Sequence, residues 1–173
     1  MGADDRREAG FSLMELLVVL SIIMTMTGIT VMGMGSYRGK ITERQTRNLA
    51  DELLLTQNAQ QTRPGEFYAE LIQEDHIWMV VVVRETGGEG RLSERTEYDR
   101  KELGSANSLQ ITDEDGDSLR ENTDGYFHRW QFARETGACT EGTGSLLLSG
   151  SGKTFRLTVY GPTGRAEVRT VHG

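Results

Sequence analysis

The chain has 173 residues and a formal net charge of −7. The length predicts one compact domain with an appendage, and the acidic balance disfavours a general nucleic-acid binder, whose affinity rests on attraction to phosphate. The single cysteine, Cys139, excludes an intramolecular disulfide and a metal site built from several cysteines. We expect it to be a free, partly buried thiol.

Residues 11–35 form an apolar run in which Glu15 is the one charged residue. As a helix this run would extend about 37 Å, which exceeds the hydrocarbon thickness of about 30 Å in a bilayer. The apolar part of a cleavable secretory signal is shorter, and a core helix of a soluble protein is seldom apolar on every side. The run therefore predicts a transmembrane helix.

Glu15 needs a physical explanation, because an ionised carboxylate in hydrocarbon costs several kcal/mol unless it is paired. It lies one helical turn after Phe11. Cleavage between Gly10 and Phe11 would create an α-amino group at that distance, and the amine could pair with the carboxylate within one chain or between neighbours. The alternative is a glutamate at the membrane interface that reaches water.

The stretch "GFSLME", from Gly10 to Glu15, resembles the class III signal of type IV pilins and type II secretion pseudopilins. In that signal a short charged leader ends in glycine, and a glutamate occupies the fifth mature position. The resemblance implies that prepilin peptidase removes residues 1–10 and that Phe11 is then N-methylated. It also implies that Glu15 acts in assembly.

The same resemblance implies a location and partners. The leader would be cytoplasmic, and the mature chain would cross the cytoplasmic (inner) membrane once, with its C-terminal domain extracytoplasmic, before it enters an envelope filament. Its partners would be other pilin or pseudopilin subunits and the inner-membrane assembly platform. The positive charges just after the apolar run would by themselves favour the opposite orientation. Met32 stands where many major pilins carry proline, which favours a minor subunit.

Residues 36–64 are rich in helix-forming residues and contain no proline before Pro64, so they predict an amphipathic extension of the first helix. We expect one helix over residues 11–62, interrupted at most near its glycines. The predicted apolar stripe contains Ile41, Leu49, Ala50, Leu53 and Leu54. The charged residues predicted to lie elsewhere are Arg44, Arg47, Asp51 and Glu52.

Residues 65–173 have the turns and alternating runs of a β-rich, extracytoplasmic domain. Residues 76–86 are a dense β-branched run, and Tyr126, His128, Trp130 and Phe132 can share one strand face. The predicted fold is α+β, with a long N-terminal helix packed on a C-terminal antiparallel sheet domain. The closing stretch "SGKTFRLTVYGPTGRAEV" predicts a hairpin around its "GPTG" turn, and it resembles the H-type (FimT-like) minor pseudopilins.

The sequence contains no constellation typical of an enzyme or a cofactor site. The histidines His76, His128 and His172 are far apart, which disfavours a metal site. Asp113, Asp115 and Asp117 alternate as calcium ligands do, but they lack the full pattern of an EF-hand loop, and we favour an acidic turn between strands. We therefore expect a protein that is not an enzyme and binds no cofactor or metal.

The predicted function is that of a minor pilin-like (pseudopilin) subunit in a type II secretion or type IV pilus-type filament. FimT-type relatives in transformation pili bind DNA through C-terminal arginines, so a DNA-uptake pilin is one alternative. Arg165 and Arg169 can share a face here, but Glu167 lies between them. A second alternative is a single-pass envelope protein that forms no filament and binds a ligand through its β domain.

Overall fold

A computed structural model of the chain describes residues 13–87 and 94–171, with the backbone alone for residues 27–38. Two compact units are distinguished, Met1–Tyr37 and Arg38–Gly173. In the described residues there is one helix, followed by nine strands. The α+β class predicted from the sequence is confirmed, because the second half of the helix packs against antiparallel sheets.

Helix α1 extends over Leu13–Thr62. Its backbone stays helical through Gly33, Gly35 and Gly39, so the interruption considered there does not occur. The amide of Arg63 still donates to the carbonyl of Ala59 at 2.9 Å, and the chain then leaves the helix through Pro64 and Gly65. Gly65 has φ 103°, a conformation that favours glycine. The predicted end of the helix is therefore confirmed.

The strands form two antiparallel sheets and are numbered in chain order across both sheets. The strands are β1 (Glu66–Glu74), β2 (Ile77–Thr86), β3 (Glu94–Ser105), β4 (Gln110–Asp113), β5 (His128–Phe132), β6 (Cys139–Glu141), β7 (Gly144–Gly150), β8 (Lys153–Val159) and β9 (Ala166–Val171). The five-stranded sheet has the order β3-β2-β1-β5-β6, and the four-stranded sheet has the order β4-β7-β8-β9.

The hairpin predicted at the end of the chain is confirmed as β8 and β9. Val159 pairs with Ala166, and the turn is closed where the amide of Gly164 donates to the carbonyl of Tyr160 at 2.7 Å. Gly164 has φ 63°, and a Cβ there would collide with the carbonyl oxygen of Gly137. The glycine is therefore required twice, by its conformation and by the closeness of the neighbouring chain.

The sequence does not predict the first hairpin. The predicted β-branched run starts at His76, but in the structure Asp75 and His76 form a two-residue turn with φ of 48° and 61°. Positive φ at both central positions is typical of the type I′ turn, whose twist suits a β-hairpin. This turn pairs β1 with β2 in an unbroken register from Glu66 opposite Glu85 to Glu74 opposite Ile77.

The face of α1 that packs on the sheets differs from the predicted apolar stripe. Leu49 and Leu53 are buried as expected, but Ile41 and Leu54 are exposed and Glu52 is buried. The buried face recurs every three or four residues, as a helix requires, and most of its members are polar. It includes Thr42, Thr46, Leu49, Leu53, Thr56 and Gln60.

Hydrogen bonds explain how this polar face is buried. Thr46 and Thr56 donate their hydroxyls back to the helix carbonyls of Thr42 and Glu52, at 2.8 and 2.7 Å. Gln60 accepts the backbone amide of Phe67 at 2.7 Å. A buried polar group is tolerated when its hydrogen bonds are made. The helix is therefore held to the sheets by specific polar contacts as well as by leucines.

One hydrophobic core joins the helix to both sheets. It includes Leu49 and Leu53 from the helix, Trp130 from the five-stranded sheet, and Leu148 and Leu157 from the four-stranded sheet. Trp130 and Phe132 point into this core as predicted. His128, the first residue of β5, lies on the same side of the strand and packs on Trp130. Tyr126, which was expected on that face, precedes β5 and lies instead under the guanidinium of Arg129, 4.2 Å from its ring centre.

The other face of the five-stranded sheet covers a buried carboxylate. Glu70, at the centre of β1, is 1% exposed and forms ion pairs with Arg129, at 2.6 Å, and with Arg95. Arg129 donates from both Nε and Nη2 to the same carboxylate oxygen. A buried charge needs such partners, because water no longer solvates it.

We predict that Arg129→Met destabilises the domain strongly, by about 3 kcal/mol, because the buried carboxylate of Glu70 would lose its better-buried partner. Urea unfolding followed by the fluorescence of the buried Trp78 and Trp130 would measure this. The control is Arg100→Met, which removes exposed ion pairs to Glu74 and Glu97. An equal loss in both variants would contradict the role assigned to Glu70.

Glu52 is the second buried carboxylate, and it lies on the packed face of α1. Its Oε2 atom has no hydrogen-bond partner in the described part of the chain. Burial raises its pKa, and the negative charges of Asp99 and Asp51 add to the rise, while Lys101 opposes it. The charged form of Glu52 therefore weakens the packing of helix on sheet.

The folded state holds the Glu52 proton more tightly than the unfolded chain, so stability should fall as pH rises from the ordinary value of 4.5 through the raised pKa. We predict that Glu52→Gln removes this fall and stabilises the protein at pH 7, by about 1 kcal/mol. Urea unfolding at a series of pH values would test it, with the exposed Glu43→Gln as control. A Glu52→Gln protein no more stable than the parent at pH 7 would refute this account.

Candidate functional site

The described start of α1 exposes nearly all of its apolar side chains. Within Leu13–Met26 the exposed residues include Leu13 at 79% and Met26 at 68%. Two hydroxyls in this stretch bond to the helix itself: Ser21 donates to the carbonyl of Val18 at 2.8 Å, and Thr25 to that of Ser21 at 2.9 Å. Such self-satisfied hydroxyls can enter apolar surroundings at little cost. This surface is suited to contact with other apolar surfaces.

Glu15 lies in the first turn of the described helix and is exposed. A carboxylate near a helix N-terminus interacts favourably with the positive end of the helix dipole. Gly10 and Phe11, the predicted processing residues, lie outside the described residues, as do the predicted leader and Ser12. The predictions for cleavage, methylation and assembly at these positions stay predictions.

In the described residues, no helix combines the length and mean hydropathy of a membrane span.

The predicted acidic turn is closed by hydrogen bonds from its backbone amides. One side-chain oxygen of Asp113, Oδ1, accepts the amides of Asp115 at 3.1 Å and of Asp117 at 2.8 Å. The amide of Asp113 in turn donates to the carbonyl of Asp117 at 3.0 Å. In the residues described, no group of three potential ligands has the arrangement of a metal site. The turn therefore uses the side chain of Asp113, whereas Asp115 and Asp117 take part in these bonds through their backbones.

The two described histidines, His76 and His128, belong to different elements of the fold. His76 is in the exposed turn of the first hairpin, and His172 lies outside the described residues. His128 packs on Trp130, with 4.5 Å between ring centres, and its Nε2 lies 3.4 Å from the carbonyl oxygen of Gly142. Burial lowers the pKa of His128, which favours the neutral ring.

Cys139 opens the short strand β6, which was not predicted, and its thiol is buried. The thiol donates to the carbonyl of Glu141 at 2.9 Å. Burial raises its pKa to about 11, so the unreactive protonated form dominates at neutral pH. The expectation of a buried free thiol agrees with its position in the structure.

The two C-terminal arginines are separated by a competing acid. Glu167 accepts from Arg169 at 3.0 Å through one oxygen, and from the hydroxyl of Tyr160 at 2.9 Å through the other. The bond from Arg169 is the main cause that lowers the pKa of Glu167. Arg165 is exposed and immediately precedes β9. Much of the positive charge predicted for this face is therefore neutralised locally.

A cleft of about 290 Å³ was not predicted from the sequence. It lies where β5 of one sheet faces β4, β7 and β8 of the other. Its rim includes Asp113, Glu114 and Asp115, and its wall includes His128. The residues that line it are up to 46 positions apart in the chain, so no local sequence signal marks it. The sequence predicts a strand face for His128 and an acidic turn for the aspartates, but it does not predict that they line one cleft.

Comparison with family models gives one match, to the prokaryotic N-terminal methylation motif, over residues 5–31. The matched segment includes Gly10, Phe11 and Glu15. The match agrees with the class III prepilin signal that the sequence predicts in this segment. No curated protein and no solved structure matches the chain significantly.

The position of Glu167 generates a prediction for DNA binding. We expect no more than weak, salt-sensitive retention of DNA by the natural chain, because the net charge is −7 and Glu167 holds Arg169. Glu167→Gln should strengthen retention in a gel-shift assay at low salt. The control is Glu141→Gln, an exposed acid on β6 that changes the net charge equally.

Tight binding by the natural chain that Arg169→Gln abolishes would contradict this prediction. It would instead favour the DNA-uptake alternative.

Proposed function

We propose that the chain is a minor pilin-like (pseudopilin) subunit of a type II secretion or type IV pilus-type filament. The observation that carries the proposal is the methylation motif over residues 5–31, in which a glycine, a phenylalanine and a glutamate have the spacing of a prepilin signal. The exposed apolar surface of Leu13–Met26 supports it, because filament subunits need a surface through which helices can associate.

In this proposal prepilin peptidase cuts after Gly10 and Phe11 becomes the N-methylated first residue. The apolar segment 11–35 is retained by the cut, so the mature chain stays anchored by a single pass through the cytoplasmic membrane. The β domain is then extracytoplasmic. The assembly machinery would set this orientation in place of the flanking charges.

Glu15 would direct the association of helices. Cleavage places a positively charged amine one turn before the carboxylate, and the two groups can pair within a subunit or between neighbours. In surroundings without water, a misaligned neighbour would separate these charges, which costs several kcal/mol. The pairing would therefore select one axial register among apolar surfaces that could otherwise slide.

The β domain would supply contacts with neighbouring subunits or cargo, and the proposed role is structural, with no reaction and no cofactor.

We predict that the chain isolated from cells begins with N-methylated Phe11. Glu15→Leu should leave cleavage intact and lower incorporation into filaments by about tenfold, because the charge pair that sets the register is lost. Mass spectrometry of the N-terminus reports processing, and quantification of the chain in sheared filament fractions reports assembly.

The matched control is Glu8→Leu, the same substitution in the leader, which should affect neither mature sequence nor incorporation. Gly10→Val should leave the precursor uncut. A mature chain that still begins at Met1 would favour the single-pass envelope protein, and normal incorporation of Glu15→Leu would refute the register role.

A further inference from the structure

The cleft between the two sheets has a floor and a rim of different chemistry. Its floor is apolar and is formed by Leu119, Leu146, Leu157 and Val159. Its rim contains the carboxylates of Asp113, Glu114 and Asp115. A cleft with an apolar base and charges of one sign at its mouth suits a side chain that has an aliphatic stem and an oppositely charged end.

The charges around the cleft are one-sided. Of the described residues that line it, none is a lysine or an arginine. A further carboxylate, that of Glu141 on β6, acts electrostatically on His128 in the wall of the cleft. His128 is neutral in ordinary conditions because its burial lowers its pKa, so the ring does not repel a cation. Negative charge therefore approaches the cleft from both sheets.

The rim is held in place by its own hydrogen bonds. Asp113 Oδ1 accepts two backbone amides of the turn, so the carboxylate cannot swing away. Asp115 and Glu114 are exposed at the same turn. Ser145, another residue of the cleft lining, exchanges a hydrogen bond of 2.9 Å with Thr158 on the neighbouring strand. An ordered site loses less entropy when it binds.

We propose that this cleft binds a lysine or arginine side chain presented by another protein. The aliphatic stem would lie on the leucine and valine floor, and the cationic end would lie among the carboxylates of the rim. The inference concerns the β domain alone and does not depend on N-terminal processing.

Other ligand classes fit less well. A calcium ion takes six to eight oxygen ligands, whereas four apolar side chains make the floor of this cleft. Nucleic acid and other anions would be repelled by the rim. The volume of about 290 Å³ lies at the lower end for sites that enclose drug-sized ligands, and it is better matched to one side chain.

The test uses the full chain in detergent micelles and four short peptides with blocked ends. They share the sequence Gly-Ser-X-Ser-Gly, where X is lysine, arginine, norleucine or acetyl-lysine. Nuclear magnetic resonance would follow the backbone amides of Gly142, Thr143 and Gly144 at the mouth of the cleft. We expect saturable shifts with lysine and arginine and none with the two uncharged residues.

Two double variants separate the cleft from the overall charge. Glu114→Gln with Asp115→Asn should weaken binding of the lysine peptide about tenfold. Glu121→Gln with Asp124→Asn removes the same charge from the same loop outside the cleft lining and should leave the affinity unchanged. Thr143→Arg, which places a basic side chain at the mouth of the cleft, should block binding while the fluorescence of the buried tryptophans stays the same.

The other outcomes overturn the proposal. Equal weakening by both double variants would mean general attraction to an acidic protein. Binding of norleucine as tight as that of lysine would mean an apolar pocket. Absence of saturable shifts with lysine and arginine, or shifts at the acidic turn with calcium alone, would rule out the proposed ligand.

Discussion

The contact between the second half of α1 and the two sheets is the constraint on which the β domain depends. Leu49 and Leu53 bury apolar surface, while Thr46, Thr56 and Gln60 satisfy their polar groups within the helix or against β1. Apolar burial supplies most of the driving force. The bond between Gln60 and Phe67 favours one seating of the helix, since a shifted helix would leave both of these buried polar groups without a partner. The strands, the core and the cleft are arranged around that seating.

Each sheet meets this constraint in a different way. The five-stranded sheet places aromatic residues such as Trp130 and Phe132 against the helix, and it buries the charge of Glu70 on its opposite face under Arg129. The four-stranded sheet contributes Leu148 and Leu157 to the same core. The described strands of the two sheets share one core but do not pair with one another, and the cleft lies where β5 of one sheet faces β7 of the other.

The two halves of α1 differ in chemistry. The described side chains before residue 27 are exposed, and apart from Glu15, Ser21 and Thr25 they are apolar, so they suit association with other apolar surfaces. After residue 38 the helix carries threonine, glutamine and charged residues, and the sheets cover one side of it. The methylation motif over residues 5–31 falls in the first of these two parts.

The sequence by itself determined the features that depend on neighbouring residues in the chain. The end of α1 at Pro64 and Gly65, the last hairpin and the processing motif with Glu15 are local patterns, because backbone sterics and short-range spacing decide them. Only the tertiary structure decided the rest. The glutamates of β1 make its sequence polar, and the strand is buried only because it lies between β2 and β5. Thr46 and Thr56 can be core residues because their hydroxyls bond to carbonyls of their own helix. The pairing of Glu167 with Arg169 and the cleft between the sheets likewise come from side-chain positions that residue spacing alone does not specify.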